Sequence, residues 1–264
     1  MAQIDNRYAT GVGSRTDVAV DEGLRAYMLR VYNYMAAGVA LTGVVAYIIF
    51  TYSVTNDPAL AASTGGRIMA LHRGMYLTPF GQAVFASPLM WVIVLAPLGM
   101  VFFLSMRIYK MSVSGAQIAF WAFAALMGAS LSSIFLRYTA QSITQVFFVT
   151  AAAFGALSLY GYTTKKDLSG WGSFLIMGLF GIIIAGLVNL FLQSGALQFA
   201  ISVIGVLVFA GLTAYDTQRI KDGYYEVMGD ATALAKGAIM GALNLYLDFI
   251  NMFIMLLQLF GNRE

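Results

Sequence analysis

The chain has 264 residues, of which 60% are hydrophobic and 10% are charged, and its mean hydropathy is +0.78. Because an average soluble domain is about 25% charged, this composition excludes an ordinary soluble protein and indicates a polytopic membrane protein with one transmembrane domain. The net charge of +3 comes from scattered basic residues, which excludes a nucleic-acid partner, and the lack of cysteine excludes disulfides and thiolate sites.

A polar segment, residues 1–30, comes first. It carries four arginines and four acidic residues without an apolar stretch, so it does not have the pattern of a cleavable signal peptide. We expect a polar cytoplasmic tail that ends in a short surface helix from Asp21 to Arg30. Residues 31–264 are then expected to form the transmembrane domain.

Seven apolar runs follow, and each is long enough to cross the hydrocarbon core, which takes about 20 helical residues. They cover residues 31–52, 87–106, 115–136, 142–162, 170–192, 196–215 and 241–260. A β-barrel would show alternating segments of about 10 residues instead. The runs therefore predict an all-α membrane protein with seven transmembrane helices in the lipid bilayer.

The basic residues are divided unevenly between the two sides of the predicted bundle. With the N-terminus inside, the inner segments carry 11 Lys and Arg residues and the outer segments carry 4. This bias predicts a cytoplasmic N-terminus, and an odd number of helices then places the C-terminus outside. The inner segment 216–240 is expected to be a solvated loop, in which Asp222 and Asp230 should be functionally inert.

Asp248 is the only charged residue well inside any of the seven runs. A carboxylate at the middle of a membrane helix costs about 2.5–3.5 kcal/mol on insertion scales, so it normally faces a water-filled cavity or a partner. Asn244, Asn251 and Gln258 share its helical face, with successive spacings of 4, 3 and 7. This polar stripe must face the bundle, where its amides either hold helices together or line a functional path.

A second aspartate, Asp216, lies at the cytoplasmic end of the sixth run, near Arg219. Taken alone, it is consistent with a solvated salt bridge. At roughly 1.5 Å per residue, Asp248 lies about 10 Å deeper in the membrane than Asp216. The two carboxylates can therefore meet only if the helices tilt or if the sixth helix continues past Asp216.

Both aspartates lie in recognisable motifs, Tyr215-Asp216-Thr217-Gln218-x-Ile220-Lys221 and Leu245-Tyr246-Leu247-Asp248-Phe249-Ile250-Asn251. With 128–135 in the third run and 165–168 before the fifth, they resemble the Bax inhibitor-1 family, also called the transmembrane Bax-inhibitor-motif family. The resemblance covers residues 31 to 261. The tail and the segments 53–86 and 217–240 look longer than the compact bacterial pattern.

The resemblance implies a fold in which the C-terminal helix is central and surrounded by the others. It implies a pH-sensitive calcium leak across the bacterial cytoplasmic (inner) membrane. It also implies that Asp216 and Asp248 form a proton-sharing pair near the cytoplasmic side and that Arg107, at the end of the second run, latches this pair. An acidic residue that some members carry in the second helix is missing here, since residues 92–99 hold none.

The physics of such a pair is independent of the family. Two neighbouring carboxylates cannot both ionise easily, so they share one proton and titrate together. When protonated or latched by Arg107, the pair would hold the sixth and seventh helices together. When deprotonated, it would repel, open the bundle and offer oxygen ligands to Ca²⁺. Calcium takes roughly six to eight oxygens, so the pair suits transient contact during passage better than storage, and no cofactor is expected.

A different class of function is the main rival. Gram-negative relatives are similar to membrane proteins that bind and restrain an AAA-type membrane protease. On that hypothesis the chain is a regulator or partner without ion transport, and residues 1–30 are its handle. An enzyme is not expected, because no nucleophile–base set is visible and the only histidine, His72, lies in the outer segment. The aspartates also lack the Gly-x-Gly-Asp type motif of aspartyl intramembrane proteases.

Overall fold

The computed structural model describes residues 7–64, 67–71 and 74–262, with side chains from residue 21 onward except at 64, 67 and 68. The helices of this part are α1 (Arg7–Ser53), α2 (Pro79–Phe85), α3 (Leu89–Arg107), α4 (Val113–Leu131), α5 (Ala140–Thr163), α6 (Ser169–Leu192), α7 (Gly195–Val227) and α8 (Ala231–Phe260). All of them except α2 are long and apolar enough to cross a membrane. The predicted all-α fold with seven membrane spans is therefore confirmed.

Helix α1 extends far beyond the first predicted span on its N-terminal side. It begins at Arg7 and continues without a break to Ser53. Residues 7–30 contain no proline, the residue that most strongly interrupts a helix. The short surface helix expected at the end of the tail is thus part of one continuous helix, while residues 1–6 and His72 lie outside the described residues.

The segment between α1 and α3 is folded rather than a bare loop. It contains the strands β1 (Val54–Thr55), β2 (Ser63–Thr64), β3 (Arg67–Ile68) and β4 (Tyr76–Leu77). β1 pairs antiparallel with β4, and β2 pairs antiparallel with β3. Thr78 then caps α2 by accepting a hydrogen bond from the Gly81 backbone nitrogen at 3.0 Å. The segment closes back onto the end of α1, because the Thr78 backbone nitrogen donates to the Ser53 carbonyl at 3.0 Å.

The solvated loop expected at residues 216–240 is wrong. Helix α7 continues to Val227 and α8 begins at Ala231, so that only residues 228–230 connect them. Ile220 and Tyr224 are buried at helical spacing on this extension. Composition alone does not reveal it, because a helix that leaves the membrane is as polar as a loop. Asp230 has a structural role at the start of α8, where its carboxylate caps the helix by accepting hydrogen bonds from two backbone nitrogens of the first turn.

Helix α8 is the centre of the bundle, as expected from the family resemblance. It packs against α1, α4, α5 and α7. In its most apolar stretch 67% of the residues are buried, compared with at most 33% in any other span. Tyr246 anchors one face, because its hydroxyl forms a 2.7 Å hydrogen bond with Thr42 of α1, which donates to the Ala124 carbonyl of α4 at 2.8 Å.

Helices α3 and α6 lie at the periphery. Helix α3 packs mainly against α4, and α6 packs mainly against α7. Both expose large apolar side chains, among them Trp91 and Phe102 on α3 and Phe174 and Phe180 on α6. Such surfaces suit contact with lipid, so these two helices form outer walls of the bundle.

Candidate functional site

A cavity of about 770 Å³ lies on the polar face of α8 and is also lined by α3, α4, α6 and α7. Its polar and charged lining residues are Ser130, Gln198, Tyr215, Asp216, Arg219, Asn244, Asp248, Asn251 and Gln258. The whole stripe predicted on α8 therefore borders one space. The walls contributed by α3 and α6 are apolar.

The two motif aspartates lie in this cavity. Asp248 is 4% exposed, and its Oδ2 atom accepts no hydrogen bond from any described residue. Asp216 is partly exposed and lies close enough to Asp248 for the two carboxylates to interact electrostatically. Of the two ways to close the gap in depth that the sequence leaves open, the structure shows the continuation of α7 past Asp216. A buried carboxylate without a donor is costly when ionised, so its neighbours decide its charge.

The structure brings Arg219, and not Arg107, to the aspartates. Arg219 lies one helical turn after Asp216, lines the cavity and attracts the Asp216 carboxylate. Arg107 is exposed at the end of α3 and is not among the described residues that line the cavity. In this conformation the positive charge beside the pair therefore comes from Arg219, which the sequence pattern alone assigns to the cytoplasm.

The motif residues after Asp216 hold α7 in place. The buried Gln218 accepts a hydrogen bond from the Leu168 backbone nitrogen at 2.8 Å and donates one to the Lys166 carbonyl at 2.8 Å. The adjacent Thr217 shares a 2.9 Å hydrogen bond with Ser158 of α5. These contacts tie α7 to α5 and to the α5–α6 connection, and so they fix the rotation of α7 that directs Asp216.

Two glycines allow α5 and α6 to approach α7 closely at the residues just before Asp216. A Cβ atom at Gly161 of α5 would overlap the Ala214 backbone carbonyl, and one at Gly172 of α6 would overlap the Tyr215 ring. A larger residue at either place would push a helix away. Small residues at these positions are therefore part of how the site is built.

The amides of the α8 stripe have different partners. Asn251 donates to the Leu247 carbonyl of its own helix at 2.8 Å. Gln258 instead accepts hydrogen bonds from Gln198 at 2.7 Å and from Ser202 at 2.8 Å, both on α7. Sequence reasoning missed Gln198 and Ser202. Both are polar residues inside the sixth apolar run, and this feature of the sequence could have identified them.

A second, charged recess adjoins the cavity at the Asp216 end. It has a volume of about 360 Å³ and is lined by residues that include Ser169, Asp222 and Glu226. Tyr215 and Arg219 line both spaces. Arg219 thus stands between a recess with two carboxylates and the cavity that holds the aspartate pair.

Known proteins are similar to this chain over most or all of its length. Residues 24–264 match the family model described as Inhibitor of apoptosis-promoting Bax1. An uncharacterized protein of Caulobacter vibrioides is 46% identical over 100% of both chains, and one of Rickettsia prowazekii is 48% identical over 92% of each. Inner membrane protein YbhL of Escherichia coli is 46% identical over 92% of this chain and 94% of its own. The match with the Caulobacter protein includes the tail and segment 53–86.

Proposed function

Since the chain belongs to the family of inhibitors of apoptosis-promoting Bax1, the Bax inhibitor-1 family, we propose that it is a pH-sensitive calcium leak channel of the bacterial inner membrane. One observation carries this proposal. Two carboxylates, Asp216 and Asp248, extend from neighbouring helices into a single cavity that follows the polar face of the central helix. Polar groups deep in a membrane protein are costly, and a water-filled path for ions is a common reason for them.

The length of the cavity suits a path across the membrane. Along α7 its lining residues extend from Arg219 to Gln198. At roughly 1.5 Å per residue this distance is about 30 Å, which equals the thickness of the hydrocarbon core. The recess beside Arg219 gives the cavity an approach at one end.

The charge state of the pair controls whether α7 and α8 stay together. With one shared proton the two carboxylates bear a single charge, which Arg219 on α7 compensates. With both ionised they repel across the α7–α8 contact. Among the described residues that line the cavity, α3, α4 and α6 contribute no charged side chain, and α8 contributes only Asp248. Beyond Arg219, the nearest charges of the adjoining recess are Asp222 and Glu226.

Calcium is the transported ion in this proposal. Carboxylate and amide oxygens are the hard ligands that Ca²⁺ prefers, and it takes roughly six to eight of them. The cavity offers the Asp216 carboxylate on α7 and, on one face of α8, the Asp248 carboxylate and the amides of Asn244, Asn251 and Gln258. Such a lining supports weak successive contacts, which conduction requires, rather than tight storage.

The proposal is tested by reconstituting the purified protein in liposomes that contain a calcium dye and varying the pH. We expect a calcium flux that changes with pH. A protein that is folded and inserted but gives no flux at any pH would contradict the channel. That result would favour the rival function, a partner of an AAA-type membrane protease.

The variant Asp248→Asn addresses the pair itself. We expect it to abolish the pH dependence of the flux, because the remaining Asp216 has no carboxylate with which to share a proton. The fold should persist, since Asn has the shape of Asp and can hydrogen-bond. The measurement is the same liposome assay, together with the elution profile of the variant in detergent. An unchanged pH profile would contradict the proton-sharing pair.

Asp167→Asn is the matched control. Asp167 is an exposed carboxylate in the α5–α6 connection, and it accepts a 2.8 Å hydrogen bond from the Ser169 backbone nitrogen. Hydrogen bonds from the Ser169 side chain and backbone lower its pKa. A lowered pKa keeps this carboxylate ionised throughout the range near neutrality, so it cannot contribute a transition there. Its replacement should therefore leave the pH profile unchanged.

A further inference from the structure

Four polar side chains from three helices meet at the end of the cavity opposite the aspartates. We call them the amide cluster: Asn189 of α6, Gln198 and Ser202 of α7, and Gln258 of α8. Asn189 donates to the Gln198 side chain at 3.1 Å, and Gln198 donates to the Gln258 side chain at 2.7 Å. Ser202, which is buried, donates to the same Gln258 oxygen at 2.8 Å.

The amide cluster separates two spaces. Gln198 and Gln258 line the main cavity, and they also line a smaller recess of about 340 Å³ beyond it. The recess is bordered on its other side by the α6–α7 connection at Gln193 and Ser194 and by Gly195, the first residue of α7. The Gln198–Gln258 hydrogen bond therefore lies on the boundary between the cavity and the far recess.

We propose that the amide cluster is a second gate, which closes the far end of the cavity by hydrogen bonds between α6, α7 and α8. It differs from the aspartate pair because it contains no charge and so cannot be operated by protonation near neutrality. It opens when α7 and α8 separate and its side chains exchange their mutual hydrogen bonds for water. This proposal rests on the proposed calcium function only for the identity of the ion that passes. The barrier itself is inferred from the hydrogen bonds of the amide cluster.

The cluster also suits a passing cation chemically. Its oxygens are amide and hydroxyl oxygens, which can replace part of the hydration shell of Ca²⁺. Because they carry no charge, they bind weakly and do not trap the ion. A hydrophobic closure would exclude water and cations more strongly but would offer no such contact.

The absence of cysteine in the chain permits a direct test by single-cysteine labelling. Asn251→Cys is the reporter inside the cavity. Gly195→Cys is the reporter in the far recess, where a new Cβ meets nothing within 4 Å. Sealed vesicles are treated with a cationic, membrane-impermeant thiol reagent on the side from which Gly195→Cys reacts. This choice of side makes the test independent of the orientation of the protein.

We expect Asn251→Cys to react slowly while the amide cluster is intact. Adding Gln198→Ala, or separately Gln258→Ala, should raise its rate about sevenfold, because each change removes two interhelical hydrogen bonds of the strength found in membranes. Gly195→Cys should react at the same rate in every background. The second variant keeps the test decisive if the first does not fold.

Gln117→Ala is the matched control, because Gln117 also makes an interhelical hydrogen bond, to Tyr34 of α1, but does not line the cavity. A rate for Asn251→Cys that is unchanged by both cluster variants would overturn the proposal. An equal rise with Gln117→Ala would overturn it as well, since general loosening would then account for the effect. If labelling behaves as expected while the unmodified protein carries no calcium into liposomes, the gate stands and the calcium function fails.

Discussion

At the scale of single residues, Asp216 and Asp248 are distinguished by their surroundings. Asp248 is almost completely buried, whereas Asp216 is partly exposed and faces Arg219. The two carboxylates therefore differ in surroundings although their motifs suggest a symmetrical pair. If the pair shares a proton, as proposed, its transfer would move charge between the buried Asp248 and the partly exposed Asp216.

Replacement of the two arginines distinguishes compensation by Arg219 from a latch by Arg107. If Arg219 holds the closed state, Arg219→Ala should increase calcium leak at neutral pH about two- to fivefold, as expected for a partly exposed ion pair. The increase should be smaller at acid pH, where the pair is protonated, and smaller at high salt. Liposome flux at two pH values measures it.

Arg107→Ala is the comparison, and it should leave the leak unchanged. Arg219→Lys should rescue only partly, because Lys keeps the charge but loses the planar fork that binds carboxylates. A larger effect of Arg107→Ala would restore the latch that the family resemblance implies. Equal effects of the two alanine variants would indicate a general effect of surface charge.

At the scale of secondary-structure elements, the position of α7 depends on its contacts with α5 and α6. Gln218, Thr217 and the close approach at Gly161 all act near the turn that bears Asp216. Such contacts decide which way a carboxylate points, although none of these three residues lines the cavity. A defect here should therefore change stability and the site together.

The α5–α7 contact is tested by Gly161→Ala. The added methyl group would overlap the Ala214 carbonyl, which is backbone and cannot rotate away. We expect a loss of about 1–3 kcal/mol in the free energy of unfolding, as for other overpacked sites, and a lower Tm in detergent. Gly155→Ala on the same helix is the control, because a Cβ there meets nothing within 4 Å. Equal Tm values for the two variants would show that the close approach is unimportant.

Some elements and residues can be predicted from the sequence, and others cannot. The seven spans are predictable because an apolar run of about 20 residues matches the thickness of a bilayer, and Asp248 stands out because a lone charge interrupts one such run. Arg219 cannot be placed in this way, since its direction depends on how far α7 continues as a helix beyond the membrane. Gln218 is recognised only as part of a motif, because its partners, Lys166 and Leu168, are distant in sequence. Of the amide cluster, the sequence points to Gln258 alone.

At the scale of the whole molecule, the direction of the bundle in the membrane remains a prediction from its basic residues. Of the 15 Lys and Arg residues, 11 are assigned to the inner side with the N-terminus inside. The end that carries Asp216 and Arg219 then faces the cytoplasm, and the amide cluster faces the exterior. Cytoplasmic pH would act on the pair under this arrangement.

Two exposed glycines test this orientation, one at the start of α7 and one in the short connection that follows it. Gly195→Cys and Gly229→Cys introduce side chains that meet nothing within 4 Å, so both variants should fold. In intact cells, with the outer membrane permeabilised, an impermeant maleimide should label Gly195→Cys and should label Gly229→Cys only after the inner membrane is opened. The reverse pattern would invert the bundle and place the aspartates towards the exterior.

The short connection at residues 228–230 joins α7 and α8 at one end, so the two helices can pivot about this point. At roughly 1.5 Å per residue, Asp216 lies about 17 Å from the end of α7 and Gln198 lies about 44 Å from it. If the two helices pivot there as rigid rods, any displacement produced between the aspartates is multiplied about 2.6 times at the level of Gln198. A repulsion that separates the carboxylates by about 1 Å would then move the helices about 2.6 Å apart at the opposite face of the membrane, which is comparable to the length of a hydrogen bond.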